Sequence, residues 1–526
     1  MPRIGITSKG RGAVSDETTP VLVGGGQFTW RGDPAASPSP TQLLKFAAER
    51  AASDAGLEPA VLSGIDGLAV ISFAVDAPGE RRLMPHSTNP PATLARRLGA
   101  SPEWSVYTRA GGNSSQYAIN VAAQRIAEGR NRQVLVVGAE FMGSGVKRLT
   151  RGLGFEDWDD AEDLPPPEWI GDGRPGVSAY EAVHGMDRPI NIYPLFENAL
   201  RAREGRSIPD HQKHLGELFA PFTRVAAGNP EAWFPTERSA EELVTVTPAN
   251  RMIGFPYPKF LNAIMDVDQS AGVLITSLAR ARELGVAEDR MVFLHGCADA
   301  NDIWNPIERQ DFHSSPAMRL TGEQALDMAG ISVAEVAAFD LYSCFPSAVQ
   351  VGAESLGLSL EDPRGFTVTG GLPYAGGPGN NYAMHGVVVM MQRLRARPGT
   401  FGLCTANGWY LTKQSTGIYS TRRPLRPFER QDPAVLQARI DSLPRSTVIE
   451  RPSGRGKVET YTVIHDREGF RMGVIVGRDE ADRRFAAIIP GNESAALASL
   501  ESEEGVGRTG TVSRSDDDRR NHFTLD

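Results

Sequence analysis

RAGGNSSQYAINVAAQRIAEGRNRQVLVVGAE, residues 109–140, decides how this chain is read. Gly111 and Gly112 open it as a loop. Ala118, Ile119, Ala122 and Ile126 then recur at helical spacing on one face, which predicts a buried helix over 113–128 ended by Gly129. Gln133–Val137 is a short, continuous apolar run and reads as a strand buried on both faces. Loop, buried helix and buried strand in this order belong to an α/β protein.

The same grammar extends on both sides. Val21–Gly24 reads as a strand, and Leu43, Leu44, Ala47, Ala48, Ala51 and Ala52 mark one face of a helix up to Gly56. Strand Gly67–Ala74, helix Pro91–Gly99 and strand Ser105–Thr108 complete a first cycle. A second begins at Met291–His295 and continues with a helix after Ser315-Pro316, strand Ala337–Tyr342 and helix Phe345–Leu356. Strand Phe366–Thr369, helix Asn380–Arg395 and strands Phe401–Thr405 and Gly417–Thr421 follow. Two cycles imply a diverged internal duplication, separated by an insert at about 145–260 that is expected to cap a site. Beyond residue 443, Thr447–Glu450, Val458–Ile464, Met472–Val476, Phe485–Ile489, Thr509–Ser513 and Asn521–Leu525 are short alternating strands, the pattern of a small antiparallel barrel.

Composition narrows the function classes. The net charge of −9 over 526 residues, without a long basic run, speaks against nucleic-acid or anionic-membrane binding. Basic residues in the barrel (Arg455, Lys457, Arg471, Arg478) are offset by Asp479, Glu480, Asp482, Glu501, Glu503 and Glu504. The three cysteines, Cys297, Cys344 and Cys404, cannot build a disulfide framework and show no metal-ligand spacing, so a cytoplasmic protein without a metal is expected. No apolar run approaches a membrane span. Gly24-Gly25-Gly26 follows a strand but lacks the spacing of a dinucleotide fingerprint, and no P-loop or HExxH motif occurs.

Residues 109–140 resemble the nucleophile-loop helix and strand of the thiolase superfamily, and the resemblance extends through most of residues 20–425. Asp340-Leu341-Tyr342-Ser343-Cys344-Phe345 is similar to the loop that sterol-carrier-type thiolases write as HDCF. Gly376-Gly377-Pro378 stands in the place of their GHP motif, and Cys404-Thr405-Ala406-Asn407-Gly408 looks like their last active-site loop. The region after 443 resembles the additional C-terminal barrel of thiolase-like proteins of type 1. The resemblance implies a duplicated five-layer αβαβα thiolase fold plus that barrel. Its expected parts are a flexible tail at 1–19, an N-terminal half at 20–285 with the insert, a C-terminal half at 286–430 and the barrel at 443–526.

It also marks what is missing. The family's nucleophilic Cys falls on Gly112, and the His that activates it falls on Gly377. Ser114 and Ser115 read as caps of the helix N-terminus rather than substitute nucleophiles, which need a base. By resemblance, Cys344 matches a proton-shuttling Cys, and Tyr342 replaces the residue that stabilises an enolate oxygen. Cys404 matches the acid/base Cys of biosynthetic thiolases. His385, eight residues past Gly377, is a further catalytic candidate, against the plainer reading of a packed helix histidine. Substrate contacts are expected from Gly112, Asn113, Ser114, Gly377, Asn380, Asn407, Gly408 and Lys259. The ligand implied is a coenzyme A thioester, with no permanently bound cofactor.

Three functions stay open at this level. One is a lipid-metabolic enzyme that makes or breaks a carbon–carbon bond of an acyl-CoA without an acyl-enzyme, by a retro-aldol or retro-Claisen route. The second is a non-catalytic binder of CoA esters or lipids, or a subunit completed by an accessory protein. The third is an acetyl-CoA acetyltransferase of thiolase type, against which Gly112 and Gly377 speak. Monomer and homodimer are both compatible with the sequence.

Overall fold

Alternating buried strands and one-faced helices build two halves around a shared sheet. The computed structural model describes residues 14–77, 84–158, 164–515 and 518–526. In the first half these are β1 (Pro20–Thr29), α1 (Pro40–Asp54), β2 (Gly67–Ile71), α2 (Pro90–Leu98), β3 (Trp104–Thr108), α3 (Ser114–Ala127) and β4 (Gln133–Phe141). The insert then contributes α4 (Pro189–Arg203) and α5 (Ile208–Ala227), and β5 (Asp268–Ser277) closes the half. The second half runs β6 (Val292–Asn301), α6 (Pro316–Ala329), β7 (Val336–Asp340), α7 (Pro346–Ser355), α8 (Tyr382–Ala396), β8 (Phe401–Gly408) and β9 (Lys413–Ser420).

The strand order is β7-β8-β9-β6-β1-β5-β4-β2-β3, with a short edge strand, Glu168–Ile170, beyond β3. Read outward from the centre, the halves repeat: β1-β5-β4-β2 is matched by β6-β9-β8-β7 with the same parallel and antiparallel senses. They meet where β1 pairs with β6 through Val21↔Phe293 and Leu22↔Val292. α3 and α8 lie between the halves, in one apolar cluster with residues of both. α1 and α2 cover the first half from outside, and α6 and α7 the second. This is the duplicated, layered α/β arrangement expected.

Some expectations change. The counterpart of β3 at Phe366–Thr369 does not form a strand. The buried Asp340 carboxylate accepts from Val368 N (2.9 Å) and Thr367 Oγ1 (3.1 Å), so side-chain bonds replace a ladder there. β6 does not end near Gly296 but continues to Asn301, and a register shift opposite Ile418/Tyr419 leaves His295 unpaired. His295 Nε2 therefore turns to Arg422 O (2.7 Å), whereas Cys297 is buried in the central cluster. Thr447–Glu450 supplies only an isolated bridge, Val448↔Arg484. Residues 1–13 of the expected tail lie outside the described residues, and Asp16–Thr18 forms a short helical turn in which Asp16 is bonded by Arg282 and Arg423.

The C-terminal barrel closes as β10 (Gly454–His465), β11 (Phe470–Asp479), β12 (Arg484–Pro490), β14 (Asn521–Leu525), β13 (Thr509–Arg514) and back to β10. Four of these pairings are antiparallel, and β12–β14 is a single parallel register, Ile488↔His522. The barrel is seated on α4. Thr460 Oγ1 donates to Leu195 O (2.6 Å), Asn198 Nδ2 donates to Tyr461 O (2.9 Å) and Arg201 pairs with Glu504 (2.6 Å).

Candidate functional site

Four chain segments converge at the N-terminal end of α3: the 109–113 loop, the 341–345 turn after β7, the 376–381 turn before α8, and the β8–β9 hairpin. Asn380 fixes the first of them. Its Oδ1 accepts from Gly111 N (2.8 Å), and its Nδ2 donates to Ser72 O (2.9 Å). This clamp places Gly112 against Tyr342. A Cβ added to Gly112 would stand 2.1 Å from Tyr342 Oη, 2.6 Å from Tyr342 Cζ and 2.5 Å from Asn407 O. The space of a side chain at 112 is therefore filled by a phenol hydroxyl. A cysteine there is excluded unless the Tyr342 turn and the β8–β9 hairpin both move.

Tyr342 is held from both ends. Its backbone N donates to Thr405 Oγ1 (2.9 Å), and its ring meets Tyr382 edge-on, with centroids 5.5 Å apart. Its hydroxyl has no hydrogen-bond partner among the described residues. Burial, with Cys344 adding to it, pushes the phenol well above its ordinary value, so it stays protonated and can donate. Burial likewise pushes the Cys344 thiol up to about 12, partly offset by Tyr193. A thiol in that state is not ionised near neutral pH and is a poor nucleophile.

Tyr193, from α4, joins this centre. Its hydroxyl donates to Trp409 O (2.9 Å) and accepts from Asn407 Nδ2 (2.8 Å), and its ring stacks on Phe345 with centroids 4.5 Å apart. Gln414 Nε2 in turn donates to Asn407 Oδ1 (3.1 Å). Sequence reading missed Tyr193 because it lies in the insert. Its only signal is a helix, NIYPLFENAL, that is apolar on all sides yet interrupted by Asn, Tyr and Glu.

The other expected residues separate. Ser114 Oγ donates to Arg109 O (2.8 Å), and Ser115 Oγ donates to Asn380 O (3.1 Å). Neither accepts from a helix amide, so the capping expectation is corrected: both hydroxyls tie the loop down instead. Asn113 is the N-cap residue, without a side-chain cap bond. Its Nδ2 donates to Ser415 Oγ (3.3 Å), and its Oδ1 is 2.7 Å from where a Cβ on Gly408 would be. Gly377 N donates to Ile264 O (2.8 Å), and a Cβ at 377 would meet that oxygen at 3.0 Å. The 262–267 segment thus covers Gly377. Cys404 faces the central cluster rather than the cluster that holds Tyr342 and Cys344. His385 lies on α8 with Nδ1 donating to Gln27 Oε1 (2.7 Å), and burial pushes it down to about 3, so its ring is neutral. Lys259 is exposed. Among the described residues no group of His, Cys, Asp and Glu can hold a metal, and no helix is long and apolar enough to cross a membrane.

The duplicated fold, with this candidate site at the entrance to α3, defines a thiolase-type protein with glycine at residue 112. Comparison with known proteins agrees. The profile described as the thiolase-like protein type 1 additional C-terminal domain matches residues 435–518. A monomeric SCP2-thiolase-like protein type 1 from Mycobacterium smegmatis superposes with a TM-score of 0.82 at 37% identity, over 97% of this chain and 100% of that one. The chain belongs to the SCP2-thiolase-like protein type 1 family.

More distant relatives share the fold. The Ltp2-ChsH2(DUF35) aldolase matches at 20% identity with a TM-score of 0.57, over 78% of this chain and 100% of that one. An acetyl-CoA acetyltransferase from Syntrophomonas wolfei matches at 16% with a TM-score of 0.55, over 77% of this chain and 100% of that one. A 17-hydroxy-3-oxo-4-pregnene-20-carboxyl-CoA lyase of Mycobacterium tuberculosis is 24% identical over 351 residues, spanning 63% of this chain and 78% of its own length.

Proposed function

We propose that this protein acts on a CoA thioester and makes or breaks the carbon–carbon bond next to it without an acyl-enzyme, with Tyr342 as the central hydrogen-bond donor. The observation that carries the reading is the phenol hydroxyl of Tyr342, unpartnered and 2.1 Å from where a side chain of residue 112 would begin. The lyase and aldolase named among its relatives support the direction of the chemistry.

In the cleavage of a 3-hydroxyacyl thioester, the hydroxyl at carbon 3 loses its proton and the bond between carbons 2 and 3 breaks. The electron pair of that bond moves into the thioester as an enolate, and an aldehyde or ketone leaves. The enolate then takes a proton at carbon 2, so no net proton is lost. Tyr342, held as a phenol, stabilises the enolate oxygen by donating to it. Cys344, in contact with Tyr193, gives its thiol proton to carbon 2 and takes up the proton released by the carbon-3 hydroxyl, so the thiol is restored at the end of the step. Asn407 holds Tyr193 in place. The dipole of α3 favours the negative charge at this position.

The test is turnover followed by mass. The purified protein is incubated with 3-hydroxyacyl-CoA esters, and separately with 3-ketoacyl-CoA plus CoA. The expected result is cleavage of the former and no thiolysis of the latter, with Tyr342→Phe losing about 100-fold or more in rate. Thiolysis of the ketoacyl ester sinks the reading.

A second reading is favoured by the closure of the centre, where Gly112, Tyr342, Cys344 and Asn407 are all buried. It makes the protein a non-catalytic binder of CoA esters or a subunit opened by a partner. Thermal stabilisation by CoA esters with no product from any of them would select it.

A further inference from the structure

A cleft of about 590 Å³ opens beside the same loop, lined among others by Arg109, Tyr117, Asp172, Asp299, Lys413 and Gln437. Gly112 faces Tyr342, but the neighbouring Gly111 faces this cleft's lysine, with Lys413 Cδ 3.1 Å from where its Cβ would be. Lys413 is only 3% exposed. Its Nζ donates to two backbone carbonyls, Ala110 O (2.7 Å) and Asp172 O (2.5 Å), and lies 5.8 Å from the ring centroids of both Trp304 and Trp409. No carboxylate pairs with it among the described residues. An ammonium has three N–H donors, and the two carbonyls leave one unassigned.

Arg109 stands on the same wall. Its guanidinium stacks over the Trp169 ring at 4.2 Å and makes no hydrogen bond or ion pair among the described residues. The carboxylates that line the cleft are already committed. Asp172 is gripped by Arg174 (2.7 Å), and Asp299 by Arg430 (2.7 Å), Ser415 Oγ (2.6 Å) and Asn120 Nδ2 (3.1 Å). Among the described residues the cleft therefore holds two cations without a directly paired carboxylate, in a chain whose net charge is −9. Burying an ammonium without a counter-charge is costly. Burial pushes Lys413 down to about 8, Asp172 draws it up, and Arg174 and Arg109 push it further down.

We propose that this cleft binds a small ligand through its oxyanion group, a carboxylate or a phosphate, held between Lys413 Nζ and the Arg109 guanidinium. The cleft shares Asn113 and Ser114 with the loop at the thioester centre but is not lined by Tyr342 or Cys344, and its anion binding is tested without any thioester. The anion supplies the missing counter-charge, and charge-assisted bonds to both cations favour it over a neutral ligand.

The test titrates the full-length protein with inorganic phosphate and with succinate at pH 7, against sodium chloride of matched ionic strength, by calorimetry and thermal shift. Saturable binding of at least one anion is expected, with Tm rising as its concentration increases. Phosphate alone identifies a phosphate site, and succinate alone a carboxylate site. Arg109→Gln should weaken binding about tenfold and Lys413→Met should abolish it. The Arg109 side chain makes no hydrogen bond or ion pair among the described residues and loses only its stack on Trp169, so Arg109→Gln carries the test if Lys413→Met does not fold. Succinate keeps its charge above pH 7, so its affinity should fall between pH 7 and pH 9 as Lys413 loses its proton. Absence of saturable binding of both anions, or unchanged affinity in Arg109→Gln, overturns the proposal.

Discussion

The absence of one Cβ shapes this centre. With a hydrogen at residue 112, the 341–345 turn can bring a phenol up to the entrance of α3, and the pair is mutually exclusive with a thiol. Gly112→Ala should cost about 1–3 kcal/mol, the usual range for overpacking a filled site. Tyr342→Ala leaves a cavity and is destabilising by itself. Combined, the two should be less harmful than their sum, because each relieves the other, with part of the cost of Gly112→Ala persisting through the Asn407 carbonyl. Denaturant unfolding of the four proteins in this cycle measures that coupling. Strict additivity would show that the contact does not exist.

At the scale of elements, the decisive piece is α4, which touches the centre with one face and the barrel with the other. Tyr193 reaches Asn407, while Leu195, Asn198 and Arg201 hold the barrel. Arg484 is the second tie. Fully buried, it donates to Ile307 O (3.0 Å) and Gln310 O (2.9 Å), bonds Arg309 O and pairs with Glu459. Arg484→Met leaves those carbonyls unpaired and should cost about 3–5 kcal/mol. By calorimetry the wild type should unfold in a single transition, and the variant should melt its barrel first. One unsplit, unshifted transition in the variant would contradict the docking.

The elements also show what the sequence can and cannot carry. Ala118, Ile119, Ala122 and Ile126 mark the buried face of α3 because α3 is packed between the two halves, and periodicity reads burial directly. Gly24 and Gly26 lack side chains for a related reason. A Cβ there would meet Ala51 O at 1.9 Å and Ala47 O at 2.2 Å, so the glycines serve the close approach of α1. The Phe366–Thr369 segment has the composition of a strand but spends its bonds on Asp340, a long-range event that local pattern does not record. Tyr193 was illegible for the same reason: its partners, Asn407 and Trp409, are more than 200 residues away. The entrance of α3, by contrast, was legible, because the helical spacing from Ala118 to Ile126 marks where the helix begins, just after Gly112.

In the whole molecule, the first half's outer sheet edge is covered from within the chain. Glu168–Ile170 pairs in parallel with β3 through Val106↔Glu168, Tyr107↔Trp169 and Thr108↔Ile170 and covers the first half's outer edge. Another copy cannot add to β3 without displacing it. The protein should therefore run as a monomer of 56.8 kDa in light scattering after gel filtration, as its relative from Mycobacterium smegmatis is described. A dimer that persists on dilution would show that another surface pairs. Barrel residues Val474, Val476 and Ile488 share one apolar cluster with Phe345 and Tyr193. The barrel thus belongs to the structure that shapes the centre and is more than an appendage to it.

The most direct measurement of the account is the intact mass of the protein, acid-quenched at short times after mixing with acetyl-CoA and with acetoacetyl-CoA. With glycine at 112 and all three thiols buried, no acyl group is expected on the chain at any time. A gain of one acetyl group, mapped to Cys344, Cys404 or Cys297 and formed at a rate that keeps pace with turnover, would contradict it.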